Sequence, residues 1–174
     1  MKKGRKHIRL PQYDYSNPGI YFITICSNQK KLFFSKIEDS KVVLNKYGLI
    51  IYNLWENIND HFTLCEKYEF VIMPNHIHGL IGLNDGSPKL GTIIGSFKSA
   101  VTRQINLCRG EACLAPTRVW QRGYYEHVVR NENAFERITE YIRSNPENWT
   151  ADKENPKHKS KNPFYNWLNT YWIN

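Results

Sequence analysis

The sequence predicts an α+β fold: a ferredoxin-like β-α-β-β-α-β antiparallel sheet with helices on one face, followed by a C-terminal helix. Segments rich in β-branched and aromatic residues alternate with segments whose apolar residues recur at helical spacing. Two of the strand-like segments are separated only by a turn, and a third amphipathic segment follows the last strand. This order favours an antiparallel sheet over a parallel one.

The first half of the chain is predicted to form a strand, a helix and a pair of strands. Residues 19–27 are rich in β-branched and aromatic side chains, which is typical of a strand. Residues 41–59 form a predicted amphipathic helix, because apolar side chains recur at Val43, Tyr47, Ile50, Ile51, Leu54 and Ile58. Residues 68–73 and 76–83 are predicted strands, and Pro74 and Asn75 form the turn between them.

The second half is predicted to contain two helices and one strand. Apolar residues at helical spacing mark a second helix, at Leu90, Ile94, Phe97, Val101 and Ile105. Residues 119–129 form a predicted strand and residues 133–145 a third helix. With 174 residues the chain is long enough for one domain, at residues 10–149, between a basic arm at 1–9 and a charged, aromatic tail at 150–174. Within that tail, residues 151–161 are expected to be polar and mobile, and the aromatic end either packs on the domain or contacts nucleic acid.

Composition narrows the classes of function. The chain has no apolar stretch of the ~20 residues that a membrane span requires, and its basic N-terminus is not followed by the apolar segment of a signal peptide. The four cysteines form no Cys-x-x-Cys pair, which argues against a zinc knuckle or a disulfide framework and fits a reducing cytoplasm. A net charge of +8 together with 14% aromatic residues suggests a polyanionic partner, such as single-stranded nucleic acid.

His76 and His78 form the most informative motif of the chain. They flank Ile77 in a predicted strand, and alternate residues of a strand point to the same face. Two neutral imidazoles on one rigid face form two-thirds of a divalent-metal site. On this motif alone, a pair of structural or solvent-facing histidines is an equally acceptable interpretation.

Tyr141 and Asn145 form a second candidate motif. Residues four apart on a helix are neighbours on one face. A phenol can act as a nucleophile toward phosphorus, and an amide oxygen can complete a metal site. The alternative is a half-buried tyrosine and a capping asparagine, since Pro146 disfavours helical geometry at Asn145 and predicts a helix end or kink there.

These motifs, with the basic aromatic segment at residues 120–130 and the segment at residues 9–24, resemble the single-tyrosine HUH transposases over residues 9–149. The likeness is greatest to the REP-associated tyrosine transposases of bacterial chromosomes. It implies that His76, His78 and Asn145 bind Mg²⁺ or Mn²⁺, and that Tyr141 is the nucleophile. It also implies a single-stranded DNA substrate with hairpins, a 5′-phosphotyrosine intermediate, and a free 3′-OH that can later rejoin strands without a nucleotide cofactor.

The remaining predictions concern proton transfer, DNA contacts and assembly. Glu126 and His127 are candidates to accept the Tyr141 proton. The predicted DNA-binding residues are Lys2, Lys3, Arg5, Lys6, Arg9, Lys98, Arg103, Arg122, Tyr124, His127 and Arg130. The resemblance leaves a monomer or a homodimer open and implies a cytoplasmic, nucleoid-associated protein. Two alternatives stay open: a replication initiator or relaxase-type nickase, and a non-catalytic DNA-binding module on the same fold.

Overall fold

A computed structural model describes residues 17–110, 118–158 and 162–171. The strands are β1 (Gly19–Cys26), β2 (Ser35–Glu38), β3 (Lys41–Leu44), β4 (Cys65–Ile72), β5 (His76–Leu83) and β6 (Tyr125–Val129). The helices are α1 (Lys46–Glu56), α2 (Ile58–His61), α3 (Leu90–Cys108), α4 (Glu132–Ser144) and α5 (Pro163–Tyr171). The basic arm predicted at residues 1–9 lies outside the described residues. Within the described ranges, no helix is both long and apolar enough to cross a membrane.

Four strands form the main antiparallel sheet, in the order β4-β5-β1-β6. Strand β1 is central because it pairs with β5 on one side and with β6 on the other. If the β2–β3 hairpin is set aside, this is the strand order of the ferredoxin-like split arrangement. The predicted fold class is therefore confirmed.

The predicted helix at residues 41–59 is wrong at its start. Lys41–Leu44 forms β3, which pairs with β2 in a separate two-stranded sheet. Helix α1 begins only after Asn45, whose side chain accepts hydrogen bonds from the backbone N–H groups of Tyr47 and Gly48. An asparagine that satisfies these two donors is a strong helix start, so it divides the apolar pattern into a strand and a helix.

The predicted strand at residues 119–129 is also too long. Only Tyr125–Val129 pairs along β1, and the preceding residues form a loop with one isolated bridge between Trp120 and Ser27. Gly123 in this loop has a φ of 77°, which a non-glycine residue rarely adopts and which interrupts a strand. The helix end predicted at Pro146 is correct, because α4 ends at Ser144, but Asn145 keeps helical backbone angles (φ −58°, ψ −40°) despite the proline that follows it.

The two faces of the sheet contribute to two separate cores. On one face, Ile23, Ile25 and Ile77 pack with α1 and α3, where Trp55 and Phe97 are buried. The opposite face carries a second core with α4 and α5, whose buried members are Phe22, Leu80, Ile138, Tyr141, Ile142, Phe164 and Leu168. The C-terminal aromatic segment therefore packs on the domain as far as it is described.

Candidate metal and nucleophile site

His76 and His78 project from β5 into the α4 side of the sheet. Both side chains are fully buried, and their ring centroids lie 4.4 Å apart. Ile77 between them enters the opposite core, as strand alternation requires. The solvent-facing interpretation of the pair is therefore wrong. Nε2 of His76 has no hydrogen-bond partner among the residues that the structure describes.

Helix α4 brings Tyr141 directly to this pair. Asn131 caps the helix by accepting a hydrogen bond from the Ala134 N–H, and Ile138 and Ile142 anchor it in the second core. The Tyr141 hydroxyl oxygen lies 3.1 Å from Nε2 of His78. Two motifs separated by more than sixty residues in the sequence thus meet at one point.

Asp152 is a site residue that the sequence interpretation missed. Its Oδ2 lies 4.0 Å from Nε2 of His76 and 3.9 Å from Nε2 of His78, and it accepts a hydrogen bond of 3.2 Å from Tyr141. One donor atom from each of the three residues His76, His78 and Asp152 lies within 4.8 Å of the other two. Two imidazoles and a carboxylate, all buried and converging, fit a divalent cation. These residues could therefore hold a metal ion.

Asn145, the predicted third ligand, also lies in this cluster. It is fully buried at the C-terminus of α4, and its Nδ2 donates a hydrogen bond of 3.0 Å to Oδ2 of Asp152. Its Oδ1 is buried without a hydrogen-bond partner in the described part of the chain. The structure thus adds Asp152 to the candidate ligands, and the role of Asn145 as a ligand stays a prediction.

Helix α5 covers the nucleophile candidate. The ring of Phe164 stacks on the Tyr141 ring with centroids 3.6 Å apart, and the Tyr165 hydroxyl forms a hydrogen bond with the Tyr141 hydroxyl. The Lys153 ammonium lies 3.7 Å from the centroid of the Tyr165 ring, at cation–π distance. As a result, Tyr141 is only 6% exposed.

Burial controls protonation in this cluster. It raises the pKa of Tyr141 well above its usual value, and the neighbouring Tyr165 and Asp152 add to the effect. Burial lowers the pKa of His76 well below its usual value, and proximity to His78 acts in the same direction. Burial alone would raise the pKa of Asp152, but the neighbouring His78 and His76, whose Nε2 atoms lie 3.9 and 4.0 Å from its Oδ2, and the hydrogen bond from the Glu154 N–H outweigh it and lower that pKa. The site therefore combines an ionised carboxylate with a neutral His76 and a neutral phenol.

The two residues predicted to accept the Tyr141 proton do not contact it. Glu126 pairs with Ile23 in the sheet register, so its side chain points to the α1–α3 face, away from Tyr141. His127 pairs with Phe22 and lies on the α4 face, but burial and the charge of Arg130 lower its pKa to about 4. The groups in hydrogen-bond contact with the Tyr141 hydroxyl are instead His78, Asp152 and Tyr165.

Those predicted DNA contacts that the structure describes lie in several different settings. Lys98 donates hydrogen bonds to the backbone carbonyls of Gln121 and Gly123, so it holds the loop before β6. Arg103 lines a cleft of about 710 Å³ between α3 and that loop, whereas Arg122 lines a cleft of about 400 Å³ that reaches Thr24, a neighbour of His78. Tyr124 is half-buried against the first core, His127 is buried and Arg130 is exposed. Lys2, Lys3, Arg5, Lys6 and Arg9 lie outside the described residues.

Comparison with known proteins places these residues in a family. The sequence pattern of the family described as transposase IS200-like matches residues 16–145, which include both histidines, Tyr141 and Asn145. The chain belongs to the IS200-like transposase family. Its relatives include a Haemophilus influenzae protein of unassigned function, 36% identical over 170 residues, with 86% of this chain and 92% of the relative covered. A second H. influenzae relative, assigned as a REP-associated tyrosine transposase, is 25% identical over 138 residues, with 76% and 73% covered.

Solved structures agree with the family assignment at the level of the fold. A REP-associated tyrosine transposase bound to a REP hairpin superposes with a TM-score of 0.60 at 19% identity, covering 81% of this chain and 74% of the other. A protein of Deinococcus radiodurans assigned as a transposase gives a TM-score of 0.51 at 16% identity, covering 82% and 96%. This transposase-family chain therefore shares the REP-associated tyrosine transposase fold.

Proposed function

We propose that this protein cleaves and rejoins single-stranded DNA beside REP-like hairpins, with Tyr141 as the nucleophile. The phenol oxygen attacks a phosphodiester phosphorus, forms a 5′-phosphotyrosine ester and displaces the 3′ oxygen, which leaves as a free 3′-OH. Attack by a 3′-OH on the phosphotyrosine then reforms a phosphodiester and returns the tyrosine. The observation that carries the proposal is the position of the Tyr141 hydroxyl, 3.1 Å from a histidine of the cluster that could hold a metal.

In this proposal His76, His78 and Asp152 hold Mg²⁺ or Mn²⁺, and a further donor is the amide oxygen of Asn145, for which the described residues offer no hydrogen-bond partner. A divalent ion bound there would polarise a phosphate oxygen and neutralise charge that develops in the transition state. Manganese tolerates imidazole ligands better than magnesium does, so we expect faster DNA cleavage with Mn²⁺ than with Mg²⁺.

The chain itself must dispose of the Tyr141 proton, because burial raises the pKa of this phenol. Asp152 is placed for that task, since it already accepts the Tyr141 hydrogen bond; its lowered pKa keeps it ionised but makes it a weak base, so the proton leaves as the phenol oxygen bonds to phosphorus. Transfer along an existing hydrogen bond needs no rearrangement of either side chain.

The substrate must also reach a covered nucleophile. A phosphorus atom cannot approach the Tyr141 oxygen while His78, Asp152 and Tyr165 surround it and Phe164 stacks on its ring. We therefore expect α5 to move before or during cleavage.

The REP hairpin in the related complex supports a hairpin partner for this chain. Arg122 and Lys153, which line the cleft next to Thr24, are suited to the phosphate backbone. Such an activity on chromosomal DNA would bring the protein to the nucleoid.

The burial of Tyr141 also favours one alternative, a hairpin-binding protein that does not cleave. A covalent-adduct assay separates the two. End-labelled single-stranded hairpin DNA carrying a REP-like palindrome and its flanks is incubated with Mn²⁺ and resolved on a denaturing gel. We expect an adduct that disappears with Tyr141→Phe, with His76→Ala and on removal of the metal with EDTA.

Tyr165→Phe is the matched control, because it removes a phenol in contact with Tyr141 but leaves the proposed nucleophile in place. An adduct that survives Tyr141→Phe and disappears with Tyr165→Phe would move the nucleophile to α5. Hairpin binding without any adduct would favour the non-cleaving alternative.

A further inference from the structure

We propose that Asn75 is a positioning residue that fixes the tautomer of His76 and so creates the lone pair with which His76 binds metal. This inference rests on the metal site of the proposed function. Asn75 lies in the turn between β4 and β5, next to His76, and is fully buried. Its side chain enters no step of the proposed reaction.

The orientation of the Asn75 amide follows from its partners. Its Nδ2 lies 3.2 Å from the backbone oxygen of Lys30 and 2.8 Å from the backbone oxygen of Glu154. Carbonyl oxygens only accept hydrogen bonds, so the NH₂ group must face them and the side-chain oxygen must face the other way. A flipped amide would place an oxygen against two oxygens in a buried position.

That oxygen in turn selects the tautomer of His76. Oδ1 of Asn75 lies 2.8 Å from Nδ1 of His76, and since an amide oxygen can only accept, Nδ1 must carry the proton. Nε2 of the neutral ring is then a bare lone pair. It is buried, has no hydrogen-bond partner in the described residues and lies 4.0 Å from Oδ2 of Asp152. The opposite tautomer would lose a buried hydrogen bond and direct an N–H at the metal position.

His78 has no such control. Its Nδ1 lies 2.8 Å from Oγ1 of Thr24, and a hydroxyl can either donate or accept. The two histidines are therefore not equivalent: the tautomer of His76 is imposed by the protein, whereas that of His78 can adapt to what binds at its Nε2.

Asn75 also joins the parts of the chain that surround the site. Its amide reaches Glu154, two residues beyond Asp152, and its backbone oxygen accepts a hydrogen bond of 2.7 Å from the Ser27 N–H at the end of β1. One side chain thus connects the His76 strand to the segment that carries Asp152. Its loss should disturb both the imidazole and the carboxylate.

The tautomer can be measured directly in the metal-free protein. Long-range ¹H–¹⁵N correlation spectra of histidine-labelled protein identify which ring nitrogen carries the proton, and His76→Ala assigns the signals. We expect Nδ1–H for His76 in the wild type. Asn75→Leu, which has no acceptor, should lose this preference. Asn106→Leu is the control, because Asn106 is also a buried asparagine but lies on α3, in the other core.

Titration with Mn²⁺ or Co²⁺, followed by calorimetry or by the absorbance of Co²⁺, gives the second readout. We expect Asn75→Leu to weaken binding about 10–100-fold, as is typical when the partner of a metal-bound histidine is lost, and Asn106→Leu to leave it unchanged. An Nε2–H tautomer of His76 in the wild type would overturn the inference, as would an Asn75→Leu variant with unchanged tautomer and affinity. A wild type that binds neither metal would overturn the proposed metal site together with this role of Asn75.

Discussion

Asp152 is a fully buried carboxylate surrounded by two imidazoles, a phenol and an amide. A buried ionised group is costly unless its charge is compensated. Part of the compensation comes from hydrogen bonds, including one from the Glu154 N–H at 2.6 Å. A divalent cation would supply the rest, which is why this carboxylate strengthens the case for a metal site.

His127, again a single residue, leads to a prediction about how the free energy of unfolding depends on pH. Burial and the nearby Arg130 lower its pKa in the folded protein to about 4, from 6.5 in the unfolded chain. Between these values the unfolded state binds a proton that the folded state does not. The free energy of unfolding should therefore fall as the pH drops from 6.5 toward 4, by up to about 3 kcal/mol from this residue. In denaturant titrations His127→Gln should show a shallower decline than the wild type.

The exposed His61 is the matched control, and His61→Gln should keep the wild-type decline. Buried His76, whose pKa is also lowered, contributes a decline of the same sign in all variants. If His127→Gln and the wild type lost stability equally over this range, the prediction that the folded protein keeps His127 buried and neutral would be wrong.

Single residues also mark the limit of sequence interpretation. Strand and helix spacing predicted two pairs, His76 with His78 and Tyr141 with Asn145, but only the family resemblance joined them into one site. Asp152 was not, since it lies in a charged segment, residues 151–161, that is typical of solvated chain. Nothing local distinguishes it from Lys153 or Glu154. Long-range contacts that no spacing rule predicts return that segment to the histidines, such as the hydrogen bonds from Asn145 to Asp152 and from Asn75 to the Glu154 carbonyl.

Among the elements, α5 has the clearest effect on function. It contributes Phe164 and Leu168 to the second core and places Tyr165 on the nucleophile candidate. Docking of this helix therefore stabilises the domain and blocks Tyr141 with the same contacts. When α5 is docked, the second core is complete and Tyr141 is covered; when α5 is undocked, Tyr141 is accessible but the core loses these contacts.

Weakening the α5 contact should accordingly increase reactivity. Leu168 is 1% exposed, and Leu168→Ala should reduce the docking free energy of α5 by about 2–5 kcal/mol. We expect the initial rate of adduct formation to rise on the order of tenfold or more, because the open form becomes more populated. The measurement is a time course of the covalent adduct on denaturing gels. Asn169→Ala, at an exposed position of the same helix, should react like the wild type, and an equal or slower rate in Leu168→Ala would contradict a blocking role.

Elements with a single periodicity were predicted best. Strand β5 has the bounds expected from its alternation, whereas residues 41–59 proved to be a strand, a helix and the start of a second helix. Val43 and its neighbours fit both spacings, so the pattern could not separate them. The informative residues were Asp39 and Ser40, whose positive φ values form the hairpin turn, and Asn45, which caps α1.

On the scale of the whole molecule, the net charge of +8 should govern DNA affinity. Binding of single strands releases condensed counterions, so the logarithm of the association constant should fall linearly with the logarithm of salt concentration. Arg122→Ala, in the cleft next to Thr24, should reduce the magnitude of that slope by about 0.7, measured by fluorescence anisotropy from about 50 to 200 mM salt. Lys36→Ala, an exposed cation on the separate β2–β3 hairpin, should not change the slope. Equal slopes for both variants would show that Arg122 does not contact a phosphate.

Strand β5 is buried on both faces, with isoleucines on one side and imidazoles on the other. Inserting or deleting one residue there would exchange the faces to which the side chains point. Histidines would then enter the hydrophobic core and isoleucines would lie beside the carboxylate. Descendants of this gene can therefore vary the centre by replacing residues but not by lengthening or shortening the strand.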